Sequence, residues 1–170
     1  MLTAFDGTGE KDRVIKGLRI MADKTGIHGM LGGQSVDVEN DGKPVDREVL
    51  DYIYQNKTSA LIECAMMTGA VLAGATEEAV KVIEEAARNI GLAFQIQDDI
   101  LDVTGDQAVL GKAIGSDANN QKTTFVSVYG LETCRSMVRN LTQQALAAAE
   151  VFEDGEFLKE LALYLAQRNK

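Results

Sequence analysis

Very little in this sequence stops a helix. One proline stands in 170 residues, inside "NDGKP" at 40–44, and the chain is rich in Ala, Leu, Ile, Val, Met and Glu. Proline is the residue a helix interior tolerates least, and Ala, Leu, Met and Glu are among the best helix formers. An all-α protein follows, and the length suffices for one domain with a core of its own. The formal charge is −9 and no dense basic run exists. Nucleic acid and a membrane surface therefore have little electrostatic footing as partners. An acidic chain can still take an anion where metal ions or a few local lysines make a site positive. Cys64 and Cys134 are far apart and make neither a zinc spacing nor a disulfide framework. Reduced, buried thiols in a cytoplasmic protein are expected. No run of about 18 apolar residues predicts a membrane span, and the amino end lacks the basic-then-apolar pattern of a secretory signal.

Helical periodicity divides the chain. One helix is expected from about Lys11 to Thr25 with Gly26 as its stop, and a second over "HGMLGGQSVDVE", whose Gly29, Gly32 and Gly33 weaken it and imply close approach of another backbone. After the turn at 40–44, helices are expected to begin near Asp46 and again near Lys57. The latter, "KTSALIECAMMTGAVLAG", is apolar almost all round, with Glu63 its one interior charge, and reads as a buried central helix. Thr76 can cap a helix that runs to about Val103, with Glu77 and Glu78 in its first turn. A polar loop over 104–123 and helices over roughly 131–152 and 155–168 complete the chain.

The chemistry concentrates in "FQIQDDILDVTGD" at 94–106. At about 100° per residue, Gly91, Gln95, Asp98, Asp99 and Asp102 fall in one narrow arc of a helix otherwise wrapped in apolar side chains. A solvated outer face is the ordinary alternative. Such faces mix Lys and Arg with Glu, whereas this one has no basic residue and uses Asp, a poorer helix former. Crowded short carboxylates are costly unless a cation sits among them, and hard oxygen ligands suit Mg²⁺, which bridges readily to phosphate oxygens. A di-iron site would want Glu-x-x-His pairs, and the single histidine, His28, has no Glu three residues before it. Paired carboxylates for glycoside hydrolysis are also poorly supported. Lys57-Thr58, Lys112 and Lys122 are each ordinary surface candidates, but beside an acidic Mg²⁺ face they make sense together as diphosphate partners.

These pieces resemble, in order, the C-terminal part of the trans-isoprenyl diphosphate synthase family, nearest to its bacterial farnesyl diphosphate synthase branch. "GMLGGQSVD" at 29–37, "KTSALIECAMMTGA" at 57–70, the Asp-rich stretch at 94–106, "LGKAIGSDANNQKTTFVSVYG" at 110–130 and the terminal "YLAQRNK" carry the resemblance. It implies an all-α fold, the C-terminal portion of the isoprenoid synthase helical bundle. It also implies a Mg²⁺-dependent transfer of an allylic diphosphate's prenyl group to isopentenyl diphosphate. Carried over residue by residue, Asp98, Asp99 and Asp102 would hold Mg²⁺, with Asp98 foremost. Lys57, Asp98 and Lys122 would be the catalytic set. Lys57, Thr58, Gln95, Lys112 and Lys122 would contact the allylic substrate, Phe94 the isopentenyl chain, and Arg168 and Lys170 the isopentenyl diphosphate. Gln34 and Asp37 would orient Lys57 or a metal-bound water. The family's first Asp-rich motif has no counterpart here, and "MLTAFDGTGEKDRV" begins as if in mid-helix. Residues 1–170 are thus expected to be a partial domain, inactive or nearly so alone, associating as a homodimer or with a missing N-terminal half. A non-catalytic helical oligomerisation module of the same descent, or a terpene cyclase relative, would share much of this pattern.

Overall fold

The computed structural model describes residues 10–105, 122–150, 152 and 155–167. Among them every regular element is helical. The helices are α1 (Lys11–Thr25), α2 (Met30–Glu39), α3 (Arg47–Tyr54), α4 (Ala60–Ala73), α5 (Glu77–Thr104), α6 (Phe125–Tyr129), α7 (Leu131–Ala149) and α8 (Glu156–Gln167). A wide π turn, Gln55–Ser59, joins α3 to α4 without a break.

Local chemistry sets the ends. Asp46 accepts a hydrogen bond from the Val49 backbone N–H and starts α3. Thr76 does the same for Ala79 at the start of α5, where Glu77 and Glu78 suit the positive end of the helix. Gly74 ends α4 in the left-handed region at φ +89°, and the Arg13 guanidinium lies against the place a side chain would occupy.

Packing follows the chain. α1 lies against α4 in opposite sense, with Gly17 beside Thr68 and Leu72, and Lys24 beside Glu63 at the other end. α5 returns along α4, and α7 returns along α5. Cys134 and Val138 share a core with Ile96, Ile100, Leu50, Ile53, Tyr54 and Phe125. Further along, Ala145 and Ala162 meet Ile90 in a second cluster. Both cysteines are buried free thiols, as expected. Burial beside Asp99 pushes the Cys134 thiol up to about 11.

Three expectations change. The helices read as starting near Asp46 and near Lys57 are one continuous rod, because nothing between Tyr54 and Lys57 breaks it. Its extra residue goes into the π turn, closed by the Ser59 hydroxyl donating to the Tyr54 carbonyl, 3.1 Å away. The helix read as apolar almost all round and as a buried central one has an open side, with Leu61 43% and Leu72 49% exposed. A short helix, α6, stands where none was read. Thr124 caps it reciprocally with Ser127. Most of the loop expected over 104–123 lies outside the described residues.

Candidate active-site cleft

The Asp-rich end of α5 faces the π turn across a polar cleft of about 190 Å³, lined by Asp37, Ile53, Tyr54, Lys57, Gln95, Asp98, Asp99 and Lys122. Larger hollows run along α1, away from these carboxylates. Four separate parts of the chain meet here. α2 brings Asp37, the α3–π turn brings Tyr54 and Lys57, α5 brings Gln95 to Asp99, and the segment entering α6 brings Lys122.

Asp37 joins the two cations. Its carboxylate accepts from Lys57 Nζ at 2.6 Å and pairs with Lys122 Nζ at 3.2 Å. Burial would raise the Asp37 carboxyl, but the Lys57 hydrogen bond and the Lys122 charge outweigh it and hold the group below the ordinary carboxylate range. Asp37, expected to orient Lys57 or a metal-bound water, is in direct contact with Lys57.

The three aspartates of the stripe are not equivalent. Asp98 is half-buried on the cleft wall. Asp99 is 6% exposed and acts as an acceptor: Tyr54 Oη donates to both its oxygens at 2.8 Å, and the Phe125 backbone N–H donates to one at 2.8 Å. It therefore ties α3 and the start of α6 to α5. The Tyr54 and Phe125 rings pack at 4.7 Å over this junction. Just upstream, the Val45 N–H donates to Thr123 Oγ1 at 3.0 Å, so the segment directly after Lys122 is anchored at Thr123 and at Phe125. Asp102 is 2% exposed and stands outside the cleft lining. Tyr54→Phe keeps the ring and removes a charge-assisted bond from a buried carboxylate. It is expected to destabilise the fold by about 2 kcal/mol in urea unfolding, and an unchanged midpoint would contradict this assignment.

Among the described residues no group of three or more His, Cys, Asp or Glu side chains could hold a metal ion unaided. Asp98, half-buried on the wall of this polar cleft, could at most share an ion with a phosphate rather than hold one alone. Mg²⁺ takes one or two carboxylates and completes its shell with water and phosphate oxygens.

The polyprenyl synthetase family model matches residues 4–162 of this chain. The chain belongs to that family. It is 43% identical over 166 residues to farnesyl diphosphate synthase from Escherichia coli, a match covering 95% of this chain and 55% of that protein. It is 36% identical over 160 residues to geranylgeranyl diphosphate synthase from Cyanophora paradoxa, covering 93% of this chain and 53% of that one. A geranyltransferase structure from Helicobacter pylori, complexed with magnesium and isoprenyl diphosphate, superposes with TM-score 0.73 at 29% identity over 91% of this chain and 51% of its own. The fold is that of the helical isoprenoid synthases, and the chain spans about half the length of the relatives it matches.

Within this polyprenyl synthetase fold, the residues read from the sequence divide into three groups. Lys57, Gln95, Asp98, Asp99 and Lys122 come together in the cleft. Thr58, in the same π turn, and Phe94, beside Gln95, are half-buried and outside its lining, and the buried Asp102 is outside it too. Lys112, Arg168 and Lys170 lie outside the described residues. No helix among the described residues is long and apolar enough to cross a membrane. Tyr54 was missed by sequence reasoning. Its signal is "YIYQNKT", a tyrosine one helical turn before the lysine, on the same side of the rod.

Proposed function

We propose that the cleft holds the diphosphate of an allylic prenyl substrate, and that the chain is the C-terminal part of a prenyltransferase that joins this substrate to isopentenyl diphosphate. The observation that carries the reading is the meeting of Lys57 and Lys122 on Asp37 beside Asp98. Two ammonium groups within reach of one carboxylate oxygen pair are spaced to grip neighbouring phosphate oxygens. Asp98, with Asp99 and Asp102 behind it in the stripe, would hold Mg²⁺. When bound, that ion draws charge from the diphosphate oxygens and favours their departure.

The chain's own groups do the rest. Lys57 and Lys122 stabilise charge as it develops on the leaving diphosphate, which carries away the electron pair of the C–O bond. Asp37 keeps their ammonium groups aimed into the cleft. Gln95 and Thr58 contact the same substrate, Lys112 adds a further cation to its diphosphate, and Ile53 limits water at the cleft floor. The allylic cation left behind is attacked by the isopentenyl double bond, and transfer of a proton from the new cation to the departed diphosphate restores an alkene. Phe94 packs on the isopentenyl chain, and Arg168 and Lys170 bind its diphosphate.

Geranyl diphosphate with Mg²⁺ is expected to raise the thermal midpoint of the chain, through linkage of binding to folding. The shift should vanish with EDTA and in Asp98→Ala. A shift that survives both would overturn the reading. In a product assay run beside a relative of full length, residues 1–170 alone are expected to turn over at a small fraction of its rate.

Association is part of the proposal. Ile15, Ile27, Leu31 and Val38 are 48–73% exposed along α1, the turn after it and α2, apolar surface that favours covering by a second copy. Light scattering is expected to give a dimer, and a monodisperse monomer would contradict it.

A further inference from the structure

Gly91 sits in the interior of α5, a helix of 28 residues, where alanine would be the better helix former. Its neighbour explains the choice. A Cβ at Gly91 would stand 2.5 Å from Ser59 Cα and 2.7 Å from Ser59 Oγ. From α2, a Cβ at Gly33 would stand 2.6 Å from the Lys57 backbone nitrogen and 2.8 Å from the Asn56 carbonyl carbon. Ser59 Cα, Lys57 N and Asn56 C are backbone atoms, which cannot swing aside as the end of a side chain can. The π turn that carries Lys57 is therefore held by its backbone against two helices, α2 and α5. Ser59, fully buried, locks it from within through the hydrogen bond to the Tyr54 carbonyl. By contrast, Gly69 of α4 has nothing within 4 Å of where its Cβ would be.

The grip is aligned with the cleft. Gly91, Gln95 and Asp98 follow one another at i, i+4 and i+7 on one side of α5. The line along which α5 touches the turn at Gly91 leads on to the Asp98 carboxylate. Gln95 and Asp98 of α5 and Lys57 of the π turn all line the cleft, so the Gly91–Ser59 contact joins the two elements that form facing parts of its lining. A side chain at 91 would push α5 and the π turn apart at Ser59.

We propose that Gly91 is a positioning residue for Lys57: its bare backbone lets α5 seat the π turn, with Gly33 closing the grip from α2, and so fixes where the Lys57 ammonium stands in the cleft. The inference rests on the reading of Lys57 as a diphosphate ligand.

The test is calorimetric titration of the 170-residue chain with inorganic diphosphate in excess Mg²⁺. Wild type and Gly69→Ala are expected to bind alike, and Gly91→Ala at least about 10-fold more weakly. A positioning role makes a further demand: in a Lys57→Met background, Gly91→Ala should change affinity less than about 2-fold, because the group it positions is gone. If circular dichroism shows that Gly91→Ala does not fold, Ser59→Ala decides. It introduces no overlap, and it is expected to weaken binding at least about 3-fold in the wild type and not in the Lys57→Met background. The inference is overturned if the deciding variant binds like wild type, or if its loss is equally large without Lys57. Diphosphate binding that depends on Lys57 but not on position 91 or 59 would sink this inference alone. A wild-type chain that binds no diphosphate would sink the proposed function and this inference with it.

Discussion

Replacing Lys57 by methionine is expected to weaken Mg²⁺-dependent diphosphate binding about 100-fold, or about 2.7 kcal/mol. The size follows from the site. Lys57 is one of two described ammonium groups in the cleft, and its side chain is only 33% exposed. Charge-assisted bonds made in such partial shelter are about twice as strong as neutral ones, and truncating one partner costs about 2–5 kcal/mol. Methionine keeps most of the stem, so packing in the π turn is retained. Stability should change little, because Asp37 keeps Lys122. An affinity within about 3-fold of wild type would mean that Lys57 serves Asp37 and not a substrate.

The second large effect lies away from the cleft. Lys24 donates to Glu63 and, at 2.7 Å, to Glu84, and Arg88 reaches Glu63 at 3.1 Å. These contacts tie α1, α4 and α5 together. Glu63 is 4% exposed, so Lys24→Met leaves a buried carboxylate with one half-exposed guanidinium. Breaking a buried pair costs about 3–5 kcal/mol, and the surviving Arg88 contact places this variant near the lower end, about 3 kcal/mol in urea unfolding. The same pair carries a pH signature. Burial opposes the Lys24 charge, but Glu63 and Glu84 outweigh it and hold the ammonium above its ordinary value of 10.5. A group raised in the folded state contributes fully below its unfolded pKa and loses that contribution as pH rises through the folded one. The stability gap between wild type and Lys24→Met should be constant from neutrality to about pH 10 and shrink above it. A gap that is already closed at pH 7 would show that the network does not hold the three helices.

The stripe at 94–106 was legible because helical geometry alone puts Asp98, Asp99 and Asp102 on one narrow face. The division of labour among them was not. Asp99 is committed by Tyr54, 45 residues earlier, and by the Phe125 N–H, 26 residues later. No local pattern encodes either partner. The π turn was invisible for a related reason: one extra residue in a continuous helix leaves no mark in composition, and Ser59 reads as an ordinary small polar residue until its hydroxyl is seen on the Tyr54 carbonyl. Glu63 was the opposite case. It stood out as the one interior charge of an apolar helix, but nothing in the sequence showed that Lys24 and Arg88 would meet it from two other helices. The glycines at 33 and 91 signalled close approach or fell on the polar arc, and only the folded chain shows that both press on the same turn. The segment "FVSVY" is too short for periodicity to reveal, and its capping pair Thr124 and Ser127 was the signal available for α6.

The most direct measurement is a calorimetric titration of the chain with dimethylallyl diphosphate, with and without Mg²⁺, alongside Asp98→Ala. The account predicts saturable binding that requires Mg²⁺ and is lost in Asp98→Ala, with circular dichroism confirming that the variant is folded. Binding that is indifferent to Mg²⁺ and to Asp98, or no binding by the folded wild-type chain, would contradict it.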